Sequence, residues 1–204
     1  MAMFLYSIPG VIIAVTASEY AKSAAAYRLG DVNIKGQGRL SLNPAKHMDI
    51  LGSFFMAFFG YGWGNPVRIN AFAFGEKRKK ALYIVFFVPF LVNMLLGLIF
   101  AIGARFWFNG NFPEAGIMDT AQFHVMQILI TTARLNIAFA LFNLIPIYPL
   151  NGTMLLSNIS PSASLKMAQA ERILQIVLAF FIIFGIMGFI FHQPTTTILR
   201  FFMF

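Results

Sequence analysis

The chain has 204 residues, of which 59% are hydrophobic and only 11% are charged. An average soluble domain has about 25% charged residues, so this composition excludes an ordinary soluble protein and indicates an integral membrane protein. The net charge of +8 does not indicate a nucleic-acid partner, because the basic residues lie in short segments beside apolar runs, where they orient a membrane protein.

Four apolar runs are long enough to cross a bilayer core of about 30 Å, which needs roughly 20 helical residues. They cover residues 4–27, 81–104, 123–149 and 172–191. No linker or internal repeat divides the chain, so we expect one transmembrane domain over residues 1–204. The predicted fold is therefore all-α, a bundle of four full transmembrane helices in a multi-pass protein of the inner cell membrane.

A fifth apolar run, "ILGSFFMAFFGYGWG" at residues 50–64, is too short to cross comfortably and ends in glycines. Basic residues flank it on both sides, which favours the cytoplasmic side for both flanks. We predict a re-entrant segment, with both chain termini and the 105–121 loop outside and the 150–170 loop inside. A short tilted span is the alternative.

Residues 32–44, "VNIKGQGRLSLNP", alternate polar and apolar residues around Gly36 and Gly38. This pattern predicts a small cytoplasmic hairpin. An ordinary connector between membrane helices fits the pattern equally well.

Glu19 and Lys22 lie inside the first apolar run, where an ionisable side chain costs at least about 2.5–3.5 kcal/mol and normally faces a partner in the bundle. At positions i and i+3 they share one helix face, and Ser18 shares it as well. Two arrangements remain open. Lys22 either pairs with Glu19 inside the bundle or extends to the cytoplasmic surface and pairs only loosely.

The residue types that bind transition metals are scarce in this chain. It has no cysteine, and its three histidines, His47, His124 and His192, do not share helical spacing. A zinc site needs three or four converging ligands, so we do not expect these histidines to form one.

Several ordered stretches resemble the site-2 protease family of intramembrane zinc metalloproteases, in particular its short bacterial branch. The resemblance runs from about residue 8 to residue 160. It rests on "AAYRLGD", "GRLSLNPAKHMD", "LGS", "GWGNPV", "FLVN" and "FNLIPIYPLNG". In that family, the two histidines of an H-E-x-x-H helix and the aspartate of an N-x-x-P-x-x-x-x-D-G motif hold zinc, and the glutamate activates a bound water.

This chain departs from both family motifs at the ligand positions. The first motif reads Ser18-Glu19-Tyr20-Ala21-Lys22, and the second ends in Asn151-Gly152. The resemblance therefore implies that the zinc ligands are replaced by Ser18, Lys22 and Asn151, while Glu19 is kept. The charges of Lys22 and Glu19 cancel and Asn151 is neutral, so we expect the ammonium to lie where the metal would lie, held by Ser18 and Asn151, with no zinc retained.

The resulting prediction is an inactive homologue that binds rather than cleaves, as a regulatory or structural subunit. We expect as partners the lipid bilayer and another integral membrane protein or complex, and we assign Asn143, Pro146 and Gly152 to the partner groove. The alternatives are an active protease, with either a Ser18/Lys22 dyad or residual zinc chemistry at Glu19, and a transporter built around the buried pair. A dyad requires a neutral lysine, which an adjacent carboxylate disfavours.

Overall fold

The computed structural model describes residues 2–107 and 120–203, and most of the described residues are helical. In chain order the α-helices are α1 (Ala2–Arg28), α2 (Asn33–Gly36), α3 (Ile50–Phe59), α4 (Arg78–Trp107), α5 (Thr120–Phe142), α6 (Thr153–Ile159), α7 (Pro161–Gln169), α8 (Glu171–Ile183) and α9 (Ile186–Met203). Two short 3₁₀ helices, Pro44–Lys46 and Ala71–Lys77, precede α3 and α4.

Helices α1, α4 and α5 pack against one another and form the centre of the bundle. Small residues allow this approach: a Cβ at Gly97 of α4 would lie 2.6 Å from Ile137 Cγ1 of α5, and one at Gly10 of α1 would lie 3.0 Å from Thr132 Cα. Dispersion contacts and close backbone approach, rather than the hydrophobic effect, drive helix association in a bilayer. The three central helices therefore form a close-packed frame.

The three central helices are the candidate membrane spans among the described residues. Three segments are long and apolar enough to cross a bilayer, Phe4–Arg28, Ala71–Trp107 and Ala121–Phe142. The first two correspond to the predicted spans at 4–27 and 81–104. These helices make the chain a membrane protein.

The third predicted span, 123–149, extends too far. Helix α5 ends at Phe142, and the amide of Asn143 bonds back to Phe139 O at 2.9 Å. Pro146 and Pro149 follow, and proline lacks the N–H that would continue a helix. Residues 143–152 are instead a compact loop.

The fourth predicted span, 172–191, is not one straight helix. Helices α8 and α9 meet at a bend of 68°, and the pair counts as a fourth crossing only if both helices form one span. The break falls at Gly185, whose φ of +74° lies in the left-handed region that favours glycine and ends helices.

The short helix α3 and the segment after it form a loop whose two ends lie together. Its ten residues extend only about 15 Å. Gly60, with a φ of +86°, ends it, and the chain runs back until Gly64 pairs with Met48 in an isolated antiparallel bridge. Because Met48 and Gly64 lie side by side, the geometry favours re-entry over a tilted span.

The predicted hairpin at residues 32–44 does not form. Residues 33–36 make the short helix α2, because the Asp31 carboxylate accepts a hydrogen bond from Asn33 N at 3.2 Å and begins a helical turn. The other Asp31 oxygen accepts from Asn70 N at 2.7 Å, which fixes this buried side chain between two segments. Of the predicted outer loop at 105–121, residues 108–119 lie outside the described residues.

The re-entrant arrangement predicts that both flanks of α3 face the same side of the membrane. Single cysteines introduced at Lys35 and at Lys79 of this cysteine-free chain should react with a membrane-impermeant maleimide from the same side. Gln122→Cys, at the beginning of α5, is the matched control and should react from the opposite side. Labelling of Lys35 and Lys79 positions from opposite sides would show that α3 crosses.

Candidate functional site

The centre of the candidate site is an ion pair on α1. Lys22 Nζ lies 2.8 Å from Glu19 Oε1 and 2.7 Å from Glu19 Oε2. The two side chains are 3% and 4% exposed. Lys22 therefore does not extend to the cytoplasmic surface, and the internal arrangement is the one that the structure shows.

Asn151 completes the centre from the other side. Lys22 Nζ donates a hydrogen bond to Asn151 Oδ1 at 2.7 Å, across 129 residues of chain. Asn151 is 3% exposed. The ammonium thus lies between a carboxylate from α1 and an amide oxygen from the 143–152 loop.

Asn143 and Gly152 hold this loop in place. Asn143 Oδ1 accepts a hydrogen bond from Asn151 N at 3.3 Å, and its carbonyl accepts from Gly152 N at 2.8 Å. A Cβ at Gly152 would lie 2.2 Å from Ile145 O, so only glycine fits there. These two residues position Asn151. Pro146 is exposed at the surface of the same loop.

Ser18 does not take the predicted part. It is 1% exposed, but among the described residues its hydroxyl makes no hydrogen bond with Lys22 or Asn151. Helical geometry places Ser18 and Lys22 one turn apart, yet the lysine turns toward Glu19 and Asn151, which offer anionic and carbonyl oxygens. Only Asn151 of the two expected neutral partners binds the ammonium.

The segment that returns after α3, at Gly64 and Asn65, covers one side of the ion pair. A Cβ at Gly64 would lie 3.0 Å from Glu19 Cγ and 3.0 Å from His47 O, so the extended backbone at Gly64 passes directly over the carboxylate side chain. Asn65 N donates to His47 O at 2.8 Å. The backbone therefore closes this side of the site.

Two buried residues contact that backbone, Arg39 through its side chain and His47 through its carbonyl oxygen. Their spacing in the sequence alone does not connect them with the site. The Arg39 guanidinium donates hydrogen bonds to the carbonyls of Lys46 and Asn65. The His47 ring is fully buried, with Nε2 2.5 Å from Ser41 O. Both residues belong to the stretch "GRLSLNPAKHMD", and its resemblance to the site-2 protease family is the sequence feature that could have linked them with the site.

The electrostatic balance of the centre depends on the lysine. Glu19 and Lys22 carry opposite charges and Asn151 is neutral, so the centre has no net charge. Removing two ions from water costs several kcal/mol each, and only close contact and hydrogen bonding offset that cost. The two charges are in close contact here, and Lys22 Nζ donates hydrogen bonds to Glu19 Oε1 and Asn151 Oδ1. Among the described residues, the buried Glu19 Oε2 has only its ionic contact with Lys22, at 2.7 Å.

These residues do not fit a zinc ion. Zinc binds three or four deprotonated nitrogen, sulfur or oxygen ligands, whereas the described residues contain no group of three or more His, Cys, Asp or Glu side chains that could hold a metal. A cationic ammonium lies at the point on which the motif positions converge. The chemistry that this arrangement supports is a neutral, hydrogen-bonded cluster.

Comparison with known proteins found similarity to a protein of Bacillus subtilis (strain 168) that is named "Putative zinc metalloprotease YwhC". The chain is 30% identical to it over 174 residues, which is 84% of this chain and 77% of the relative. No family model matches the chain. No solved structure matches it.

Burial lowers the pKa of the His47 imidazole, although the hydrogen bond to Ser41 and the charge of Glu19 act in the opposite direction and Arg39 and Lys22 add to the lowering. The unfolded chain then binds more protons than the folded protein once the pH falls below about 6.5. Stability that is present above that pH is therefore lost as the solution is acidified.

We predict that the melting temperature in detergent falls by a few degrees between about pH 7.5 and about pH 5.5, and that part of this fall disappears in His47→Gln. His192→Gln is the matched control and should keep the slope of the parent, because it removes an exposed imidazole that has no hydrogen bond among the described residues. Identical slopes for the parent and His47→Gln would contradict the assignment.

Proposed function

The chain belongs to a metalloprotease family, and on that premise we propose that it is a catalytically inactive member of site-2 protease type, located in the inner cell membrane. Its function would be to bind another integral membrane protein, as a regulatory or structural subunit. The observation that carries this proposal is the Lys22 ammonium, 2.7–2.8 Å from Glu19 and Asn151.

Hydrolysis by the family's chemistry requires a metal-activated water beside the glutamate. Here the glutamate oxygens are both within 2.8 Å of the Lys22 nitrogen, and Gly64 packs against the same side chain. Glu19 is thus committed to a structural ion pair. A general base must instead be free to accept a proton from the water that it activates.

A serine–lysine dyad has less support. Its base must be a neutral lysine within hydrogen-bond reach of the serine hydroxyl. Lys22 instead donates to a carboxylate and an amide oxygen, two acceptors that stabilise the ammonium form. Ser18 has no hydrogen bond with it among the described residues, so the geometry favours binding over a dyad.

The retained architecture supports a binding function. Asn143 and Gly152 still hold the 143–152 loop, and the re-entrant loop still covers the centre. We propose that the 143–152 loop, with Pro146 at its surface, contributes to a groove for the partner. These positioning contacts would keep the surface of the 143–152 loop in a defined shape, which supports recognition of a membrane segment.

The protein purified without chelator should contain far less than one zinc per chain, because the buried ammonium repels a divalent cation and too few ligands remain. Elemental analysis measures this directly, and the Bacillus subtilis relative, prepared in the same way, shows that the preparation preserves metal where a site exists. One zinc per chain of this protein, retained against a chelator at neutral pH, would overturn the proposal.

Catalysis and binding are separated by two conservative variants. Glu19→Gln removes the group that a metalloprotease needs, and Ser18→Ala removes the nucleophile of a dyad. We expect neither variant to change the length of any membrane protein that co-purifies with the parent, measured by intact mass. A partner that is shortened by the parent, and left intact by one variant, would identify the corresponding enzyme.

The family ligand set can be restored on this scaffold with Ser18→His, Lys22→His and Asn151→Asp together. Because Asn143 and Gly152 position residue 151 through backbone contacts, we expect the triple variant to bind about one zinc per chain and to gain thermal stability from it. The double variant without Asn151→Asp is the control and should bind zinc more weakly. A stable triple variant that binds no zinc would show that the scaffold does not hold the ligand geometry.

A further inference from the structure

A cavity of about 350 Å³ lies on the cytoplasmic side of the predicted topology. It is separate from the ion-pair centre. It is enclosed by residues 67–72 after the re-entrant loop, by the beginning of α4, and by α6 and α7. Tyr148 and Thr153, on either side of Asn151 in the chain, form part of its wall.

The interior of this cavity is apolar and its edge is open. Leu82 and Val67, which are 1% and 5% exposed, form its floor. Phe72 and Leu165 are 86% and 66% exposed at its edge. Large exposed apolar side chains of this kind mark sites of interaction with a membrane or another protein, and they are compatible with the entry of a hydrocarbon chain.

The polar part of the cavity is cationic. Its lining includes Arg68 and Arg78 and contains no aspartate or glutamate. Burial and the nearby Glu171 raise the pKa of the Tyr148 phenol to about 12, despite the opposing charge of Arg68, so at neutral pH the phenol is a hydrogen-bond donor rather than an anion. A ligand in this cavity would therefore meet donors and positive charge.

Arg78 is fixed in the wall of the cavity, and part of its guanidinium has no hydrogen-bond partner among the described residues. Its Nη2 donates to Ser157 O at 2.9 Å, and its guanidinium carbon lies 5.9 Å from the centre of the Phe72 ring. Its Nε is buried and has no partner among the described residues. A guanidinium offers five N–H donors, and a buried donor without an acceptor is costly, so this geometry favours an anionic oxygen in the cavity.

The position along α4 indicates the source of that anion. Lys77, Lys79 and Lys80 adjoin Arg78 at the beginning of this membrane-spanning helix, and such basic clusters mark the cytoplasmic interface, where anionic lipid headgroups concentrate. A soluble phosphate ester has no hydrocarbon chain to fill the apolar interior. A neutral phospholipid has no net negative charge to balance two arginines in a lining without aspartate or glutamate.

We propose that this cavity is a specific site for one anionic phospholipid, whose phosphate binds Arg78 and Arg68 and whose acyl chain enters between Phe72 and Leu165. The ligand would bind beside the loop that carries Asn151. The proposal does not depend on whether the Lys22 centre is catalytic.

The test compares lipids with identical acyl chains in nanodiscs or mixed micelles. Phosphatidylglycerol should raise the melting temperature of the full chain in a saturable manner and should remain bound at one molecule per chain in native mass spectrometry. Phosphatidylcholine tests the acyl chains without net charge, and glycerol 3-phosphate tests the phosphate without acyl chains. Neither should reproduce the effect.

Variants assign the effect to the cavity. Arg78→Gln should lower the apparent affinity for phosphatidylglycerol roughly tenfold or more, since it removes a charge-assisted contact. Arg68 is exposed, and its side chain has no hydrogen bond among the described residues, so we expect Arg68→Gln to fold like the parent. This variant should also weaken phosphatidylglycerol binding, and it provides the test should Arg78→Gln fail to fold. Lys35→Gln is the control, because it removes the same charge from an exposed position outside the cavity.

Three outcomes would overturn the proposal. An equal response to phosphatidylcholine would mean that acyl chains alone bind. A full response to glycerol 3-phosphate would identify a site for a soluble phosphate compound. Equal losses in Arg68→Gln and Lys35→Gln would mean that the surface attracts anionic lipid without a defined site.

Discussion

The structure depends on one hydrogen-bonded ion pair in the centre of the bundle. The ammonium of Lys22, on α1, binds the carboxylate of Glu19 on the same helix and the amide oxygen of Asn151 from a distant loop. Because the pair is nearly inaccessible to water, each charge needs the other, and the neutral amide completes the shell without adding a third charge. The same contact joins α1 to the loop after α5.

Around this contact, two neighbouring backbone segments hold the partners of the ion pair in position. Asn143 fixes the loop that presents Asn151, and the backbone at Gly64 passes over Glu19. If the proposed site-2 protease relationship holds, Ser18, Lys22 and Asn151 occupy ligand positions, and with Glu19 they form a cluster that has no net charge. This electrostatic balance within a buried, hydrogen-bonded cluster is the feature that supports the binding function that we propose.

The centre was predictable because its residues are few, charged and placed in two recognisable motifs. Helical spacing puts Glu19 and Lys22 on one face, but it cannot decide whether a lysine stays inside or reaches the surface, since this depends on a partner such as Asn151 that is remote in sequence. Hydropathy located α1 and α4 well. It extended the third span beyond Phe142 and missed the bend at Gly185, because apolar composition continues across both breaks while backbone geometry does not. The part played by Arg39 and His47 arises from tertiary contacts with the return segment, and no periodic pattern encodes these.

The central claim is that the charges of Lys22 and Glu19 stabilise the fold as a pair. A double-mutant cycle on unfolding in detergent, with Glu19→Gln, Lys22→Met and their combination, measures the coupling free energy. Each single variant should lose about 3–5 kcal/mol, because it leaves a buried charge without its partner. The double variant should recover most of that loss. Additive effects close to zero would mean that the two charges do not interact in the folded protein, and this would contradict the account.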